Sequence, residues 1–210
     1  MKNLPKKHRD LLVKARELFW KFGLKRVTVE EICAESGVSK MTFYKYFANK
    51  NELAMEVLDR MFTENMARFR EVMRSERTME EKMQWQVQMK MEGTTDISQE
   101  FIKDVYGDKE SEVHQFWAER TSQAIGEVME EYRHAQEQGW IRKDMKIEFI
   151  LYLVNKFFDF ANDEALIAQY DTMQDVIIEI NKFFLYGILP HHPAPGEAGT
   201  PSRAEQNSKG

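Results

Sequence analysis

Thr28, Ser39, Lys40, Thr42, Tyr44, Lys45, Tyr46 and Lys50 gather hydroxyl and ammonium groups into one short stretch, with the apolar Met41 among them. These are the groups that meet nucleic acid. Ammonium groups neutralise phosphates, hydroxyls donate to phosphate oxygens, and side chains at the start of a helix reach base edges. The spacing assigns Lys40, Met41 and Thr42 to the bases. Tyr44 can offer its hydroxyl to a phosphate while its ring lies on a sugar or a thymine methyl. Lys50 opens a further helix, where its side chain and the helix N-terminus can address one phosphate. Exposed lysines and tyrosines also occur on plain solvated faces, so the elements that hold these residues must decide.

Those elements are legible. Thr28 precedes an amphipathic run and has Glu31 three positions later, which is the pattern of a capping box. Val29, Ile32, Cys33 and Ser36 share one face at helical spacing, so this helix buries a narrow side. Gly37 falls where a left-handed C-cap belongs, and Val38 plugs the space between two helices. Ser39 is a good N-cap for a second helix, expected from Lys40 to about Tyr46. Phe43 and Phe47, four apart, point inward with Tyr46 beside them and leave the polar groups outside. Two short helices about a glycine turn, the second basic, form a helix-turn-helix that reads a major groove.

The string GVSKMTFYKYFANKNEL resembles the hallmark of the TetR family of bacterial transcription regulators (TetR/AcrR-like), and Lys14, Ala15, Leu18, Phe19, Phe22 and Gly23 resemble that family's first helix. The likeness covers about residues 8 to 60. It departs at Met41, where many members have glycine or proline, and at Cys33, where alanine is usual. The resemblance implies an all-α protein with an N-terminal three-helix reading domain. A larger helical domain for ligand binding and dimerisation should follow. It implies a dimeric, sequence-specific regulator, most often a repressor that a small molecule releases from a pseudo-palindromic operator.

The charge of the chain is −5, which argues against nucleic acid until it is divided. Residues 1 to 60 hold 13 lysines and arginines against 8 acidic residues, a net of +5, and the remainder nets −10. Basic charge collects where phosphates would be met, and counterion release there supplies non-specific affinity. A single cysteine excludes an internal disulfide and fits a reducing compartment. Cys33 reads as a small buried apolar group, with redox sensing the lesser alternative. No apolar stretch is long enough to span a membrane and no secretory signal is visible, so a cytoplasmic location is expected.

Beyond Phe47 the signals are helical. A long helix is expected from about Lys50 to Arg74, spanning about 38 Å, followed by helices near 79–91, 97–106, 110–138, 147–164 and 173–189. Residues 1–50 are expected to form the reading domain and 51–189 the ligand-binding and dimerisation domain. Residues 190–210, rich in Pro, Gly and small polar residues, read as a disordered tail.

Two apolar helices end the fold, FILYLVNKFFDFA and VIIEINKFFLYGIL. They exceed what a small bundle hides, so Leu153, Phe157, Phe158, Ile180, Phe183 and Phe184 are candidates for a homodimer interface, plain core being the alternative. In the middle region Met61, Met83, Trp85, Met89, Phe101, Tyr106, Phe116 and Trp117 are candidates for an effector pocket. Methionines and aromatics adapt to apolar ligands, though the same stripe also builds ordinary core. Polar groups available to orient a ligand include Gln84, Gln88, Asp104, His114 and Glu119. No cofactor is implied. His114 with Glu110, and His134 with Glu130 and Glu131, lack a third metal ligand, and no catalytic motif is present. The rival readings are an architectural DNA-binding protein of the same fold without a ligand, and a helical carrier or enzyme.

Overall fold

The computed structural model describes residues 4–160 and 163–189, with positions 151, 154, 155 and 157–160 given by backbone alone. Among the described residues every regular element is helical. The order is α1 (Lys6–Phe22), α2 (Val29–Ser36), α3 (Lys40–Phe43), α4 (Lys50–Met73), α5 (Met79–Gly93), α6 (Gln99–Tyr106), α7 (Glu112–Glu137), α8 (Ile147–Phe160), α9 (Glu164–Ile167) and α10 (Met173–Gly187).

Side-chain caps start most of them. Thr28, Ser39, Asn49, Thr78, Ser98, Ser111 and Thr172 each accept from a backbone N–H three residues on. Such a cap satisfies one of the orphan amides of a helix N-terminus and is typically worth about 1 kcal/mol. The far end of α4 is closed differently. Lys82 is buried, its Nζ donates to the Met73 carbonyl at 2.8 Å, and it lies 4.9 Å from the Trp140 ring centre. A buried ammonium is thereby matched to an unpaired helix carbonyl and a ring face.

Two apolar clusters organise the packing. The first joins Leu11, Phe19, Ile32, Phe43, Phe47 and Leu53 with Phe101, Ile102 and Val105. Helix α6, of the body, thus shares the core of α1–α3 and the start of α4. The second cluster joins Phe69, Met83, Met129, Tyr132, Ile150 and Leu185 across α4, α5, α7, α8 and α10. Helix α4 contributes to both, and its 24 residues span about 36 Å.

Two expected helices differ from the reading above. The second reading helix is regular only over Lys40–Phe43 and closes in a tightened turn, in which Lys45 N–H donates to the Thr42 carbonyl and Tyr46 N–H to that of Phe43. The helix expected over 147–164 is described to Phe160, and Asp163 does not continue it but caps the separate α9. The expected tail at 190–210 lies outside the described residues.

Candidate nucleic-acid interface and cavity

The reading head is built as its caps require. Thr28 Oγ1 accepts from Glu31 N–H at 3.1 Å, and the Glu31 carboxylate accepts from Thr28 N–H at 2.9 Å. Those hydrogen bonds hold the Glu31 carboxyl below the usual range. Gly37 adopts φ 64°, ψ 27° and turns the chain between α2 and α3, a conformation in which a side chain is strained. Ser39 Oγ accepts from Thr42 N–H at 3.2 Å and lies 3.0 Å from Thr42 Oγ1. Phe43 is fully buried and anchors α3, with Phe47 5.6 Å away.

This scaffold turns Ser39, Lys40, Met41, Tyr44 and Lys45 outward together, and Thr28 is exposed at the start of α2. Met41 and Tyr44 are 71% and 59% exposed, more than apolar side chains need to be unless something covers them. Lys40 pairs with Glu30 on the adjacent helix, and that hydrogen bond raises its ammonium's pKa. The pair is solvent-exposed and screened by salt, so a phosphate or base can replace Glu30. Thr42 is half-buried. Tyr46 is half-buried too, its ring stacked on His8 at 4.8 Å, and His8 Nε2 lies 3.1 Å from the Glu56 carboxylate.

Lys50 is not where the spacing put it. Its Nζ turns back into the domain and donates to the carbonyls of Leu24, Val27 and Lys25 at 2.5, 2.6 and 3.3 Å. Desolvation there lowers its pKa. A long flexible side chain has found three loop carbonyls that the sequence pattern does not reveal, so Lys50 holds the α1–α2 connection. The lone Cys33 is buried, and burial pushes its thiol pKa up, away from the thiolate that redox sensing needs.

Behind the head lies a cavity of about 360 Å³ between α4, α5, α6, α7 and α10. Of the expected pocket residues, Met61, Met89, Phe101, Tyr106 and Trp117 line it. Met83, Trp85 and Phe116 do not. Met83 is fully buried in the second cluster, Trp85 packs against that cluster under the Arg68 guanidinium, and Phe116 packs on the first. Ile180 and Phe184, expected at a dimer surface, line the cavity instead, and Phe184 is buried. Phe183, just before Phe184, is 79% exposed instead. Leu153 is half-buried, and the side chains of Phe157 and Phe158 lie outside the described residues.

The polar groups expected to orient a ligand are used elsewhere. Asp104 accepts from Lys25 N–H at 2.8 Å, Gln88 donates to Glu92 at 3.1 Å, and Glu119 accepts from Gln123 at 3.3 Å. His114 Nδ1 lies 2.8 Å from the Val105 carbonyl, and Gln84 is exposed. The cavity's own polar residues are Asn65, Gln86, Lys90, Thr94, Thr121 and Asn181. Tyr132, fully buried, donates to Gln86 Oε1 at 2.9 Å, and burial pushes its pKa well above that of a free phenol.

Head and cavity also share a residue. Trp20 belongs to the core of the reading head and lines the cavity. Its indole N–H donates to the Gly93 carbonyl at 3.0 Å, its carbonyl accepts from Ser98 N–H at 2.8 Å, and its ring lies 4.3 Å from that of Phe101. Beside it Gly23 takes φ 82°, ψ 162°, and a Cβ there would stand 2.7 Å from Asp104 Oδ2. The end of α1 is therefore docked onto α6 and the end of α5.

Residues 11–57 match the family model described as bacterial regulatory proteins, tetR family. The matched segment is the head just described, with its capping box, glycine turn and exposed second helix. Its DNA-binding domain is that of the TetR family. The family is one of bacterial regulatory proteins, and DNA binding is the activity a helix-turn-helix head supplies.

The remaining helices follow the same fold. The fatty acid degradation regulator FadR from Bacillus halodurans superposes with a TM-score of 0.68 at 15% identity, over 90% of this chain and 100% of that one. FadR from Bacillus subtilis, in complex with stearoyl-CoA, gives 0.63 at 15% identity over 86% and 98%. The ketosteroid transcriptional regulator KstR2 of Mycobacterium tuberculosis gives 0.56 at 20% identity over 90% and 98%. No curated protein matches this chain. Among the described residues no helix is long and apolar enough to cross a membrane.

Proposed function

We propose that this TetR-family regulator is a homodimeric repressor that binds a pseudo-palindromic operator and is released by a small apolar or amphipathic effector in its cavity. In this reading residues 1–50 read DNA and 51–189 bind ligand and partner, with α4 shared between the two cores. The protein works in the cytoplasm, where its DNA is. Trp20 is the observation that carries the switch. A ligand that repacks the cavity wall moves a residue that is also core to the head, so occupancy is felt at α1 without any intermediate. Two heads bind one operator well only when their separation matches the groove repeat of about 34–36 Å, so a small displacement loses specific affinity. Proteins of the same fold in complex with stearoyl-CoA, or with choline in a putative regulator from Saccharomonospora viridis, support a small-molecule effector.

Four exposed aromatics support the dimer. Phe149 and Tyr152 on α8 are 50% and 57% exposed, and Phe183 and Tyr186 on α10 are 79% and 44% exposed. Each pair is three residues apart, on one helix face. A second copy related by a two-fold axis would cover both. The test of the whole reading is a titration of candidate ligands with and without operator DNA. Operator should weaken effector binding by the factor by which effector weakens operator binding. Tight ligand binding that DNA leaves unchanged would reduce the protein to an architectural DNA binder. Tighter ligand binding with DNA would make the ligand a co-repressor.

A further inference from the structure

The cavity wall is almost wholly apolar, yet one of its residues carries a formal charge and it is a cation. Lys90 stands on the cavity side of α5, and among the described residues no aspartate or glutamate lines this cavity. The tyrosines there, Tyr106 and Tyr132, are kept neutral by burial. Lys90 is exposed and lines the cavity, and the protein around its ammonium lowers its pKa by desolvation. Among the described residues its ammonium has no hydrogen-bond or ion-pair partner.

The contrast with Lys82, about two helical turns away on the same helix, is informative. Lys82 is also deep in the body, but its ammonium is matched to the Met73 carbonyl and the Trp140 ring. Lys90 has been given neither. An anion that enters the cavity therefore meets an ammonium that no protein group among the described residues has already claimed. Its position in the last turn of α5 favours the charged form, which keeps the cation available. Gln86, Lys90 and Thr94 follow at intervals of four and line the cavity together, forming one polar track along α5. Helix α4 lines the cavity with Met61, Phe62, Met66 and Phe69 beside the single polar Asn65, and its methionines can adjust to the shape of a tail. A volume of about 360 Å³ suits a single small amphiphile.

We infer that Lys90 is the anchor for an anionic head, a carboxylate or a phosphate monoester, and that the effector is an amphipathic acid whose apolar tail lies along α4. This deepens the proposed function and rests on the cavity being the effector site. Charge-assisted hydrogen bonds from Lys90 hold the head, and the tail contributes affinity by burial. The orientation then follows from the one cation among the described lining residues, which sets where the anionic head sits.

The experiment is calorimetric titration of the full chain with dodecanoate, dodecanol, dodecylammonium and dodecyl phosphate, in the wild type, Lys90→Met and Lys90→Arg. The wild type should bind dodecanoate or dodecyl phosphate at least about tenfold more tightly than dodecanol. Dodecylammonium should bind weakest. Whichever anion binds better identifies the head. Lys90→Met should lose that preference while keeping its affinity for dodecanol, and Lys90→Arg should keep it. Retained dodecanol binding shows that the Met variant is folded, and if it unfolds, Lys90→Gln carries the same comparison. Equal binding of acid and alcohol by the wild type, an anion preference that survives in Lys90→Met, or failure of every probe to bind would overturn the anchor. A parallel measurement of DNA release separates the two readings. Acid preference without DNA release leaves the anchor standing and removes the switch. DNA release indifferent to head charge removes the anchor and leaves the switch.

Discussion

Replacing Lys50 separates two accounts of one residue that predict different observables. By position Lys50 should meet a phosphate, and its loss would then leave the fold intact and lower the salt dependence of DNA binding by about one phosphate contact. By geometry it holds the α1–α2 connection through the carbonyls of Leu24, Val27 and Lys25. A hydrogen bond from a charged donor is worth about 1.5–3 kcal/mol. Two of the three are short and partly buried, while the third is long and exposed. With a discount for solvent screening, Lys50→Met should cost about 2–4 kcal/mol. For a chain of this size each kcal/mol lowers Tm by about 2–4 °C, so a fall of about 5–15 °C is expected. The assay pairs thermal unfolding with DNA binding over a range of salt, the latter well below the variant's Tm. The slope of log affinity against log salt should match wild type, because no phosphate contact is lost. An unchanged Tm with a slope reduced by about one would refute the internal role and return Lys50 to the DNA.

Three further outcomes follow from the same geometry. Gly23→Ala places a side chain at a glycine-only backbone conformation, which costs about 1–3 kcal/mol, and drives Asp104 from Lys25 N–H. Urea unfolding should show this loss, and Asp104→Ala alone should show a smaller one; equal stability of Gly23→Ala and wild type would mean α1 and α6 are not docked as described. Lys40→Ala and Thr42→Ala should each cost about 1–3 kcal/mol at particular operator base pairs and little on random duplex. Footprinting against a base-substituted operator set checks this, and equal losses on both DNAs would assign these residues to phosphates. Cys33, whose thiol pKa is raised by burial, should react with a thiol-specific alkylating reagent far more slowly in the native protein than in denaturant. Native labelling as fast as denatured labelling would reopen redox sensing.

Local signals carried most of the fold and the head, and the reason is that they are local. A threonine three residues before a glutamate, a glycine where the chain must go left-handed, and a serine before a short helix each specify backbone geometry within one turn. Hence Thr28, Gly37 and Ser39 stand where their types placed them. Lys50 failed because its partners lie 23 to 26 residues away in a loop whose carbonyls are arranged only by tertiary packing. The cavity was legible in part, with five of its eight expected residues lining it and Met83, Trp85 and Phe116 packed elsewhere. Met83 and Met89 share a helix and a residue type, yet one is core and the other faces space. Periodicity reports that a face is covered. It does not report whether the atoms opposite stop short, and a cavity is defined by where they stop. Trp20 and Lys90 escaped for the same reason: an aromatic at the end of α1 reads as core of the head, and a lysine on a mixed helix reads as a solvated face. What distinguishes Lys90 is the surrounding wall, contributed by six helices far apart in sequence. A search for the effector's charge should therefore begin from the composition of that wall, where among the described residues a single cation faces no anion, rather than from any motif along the chain.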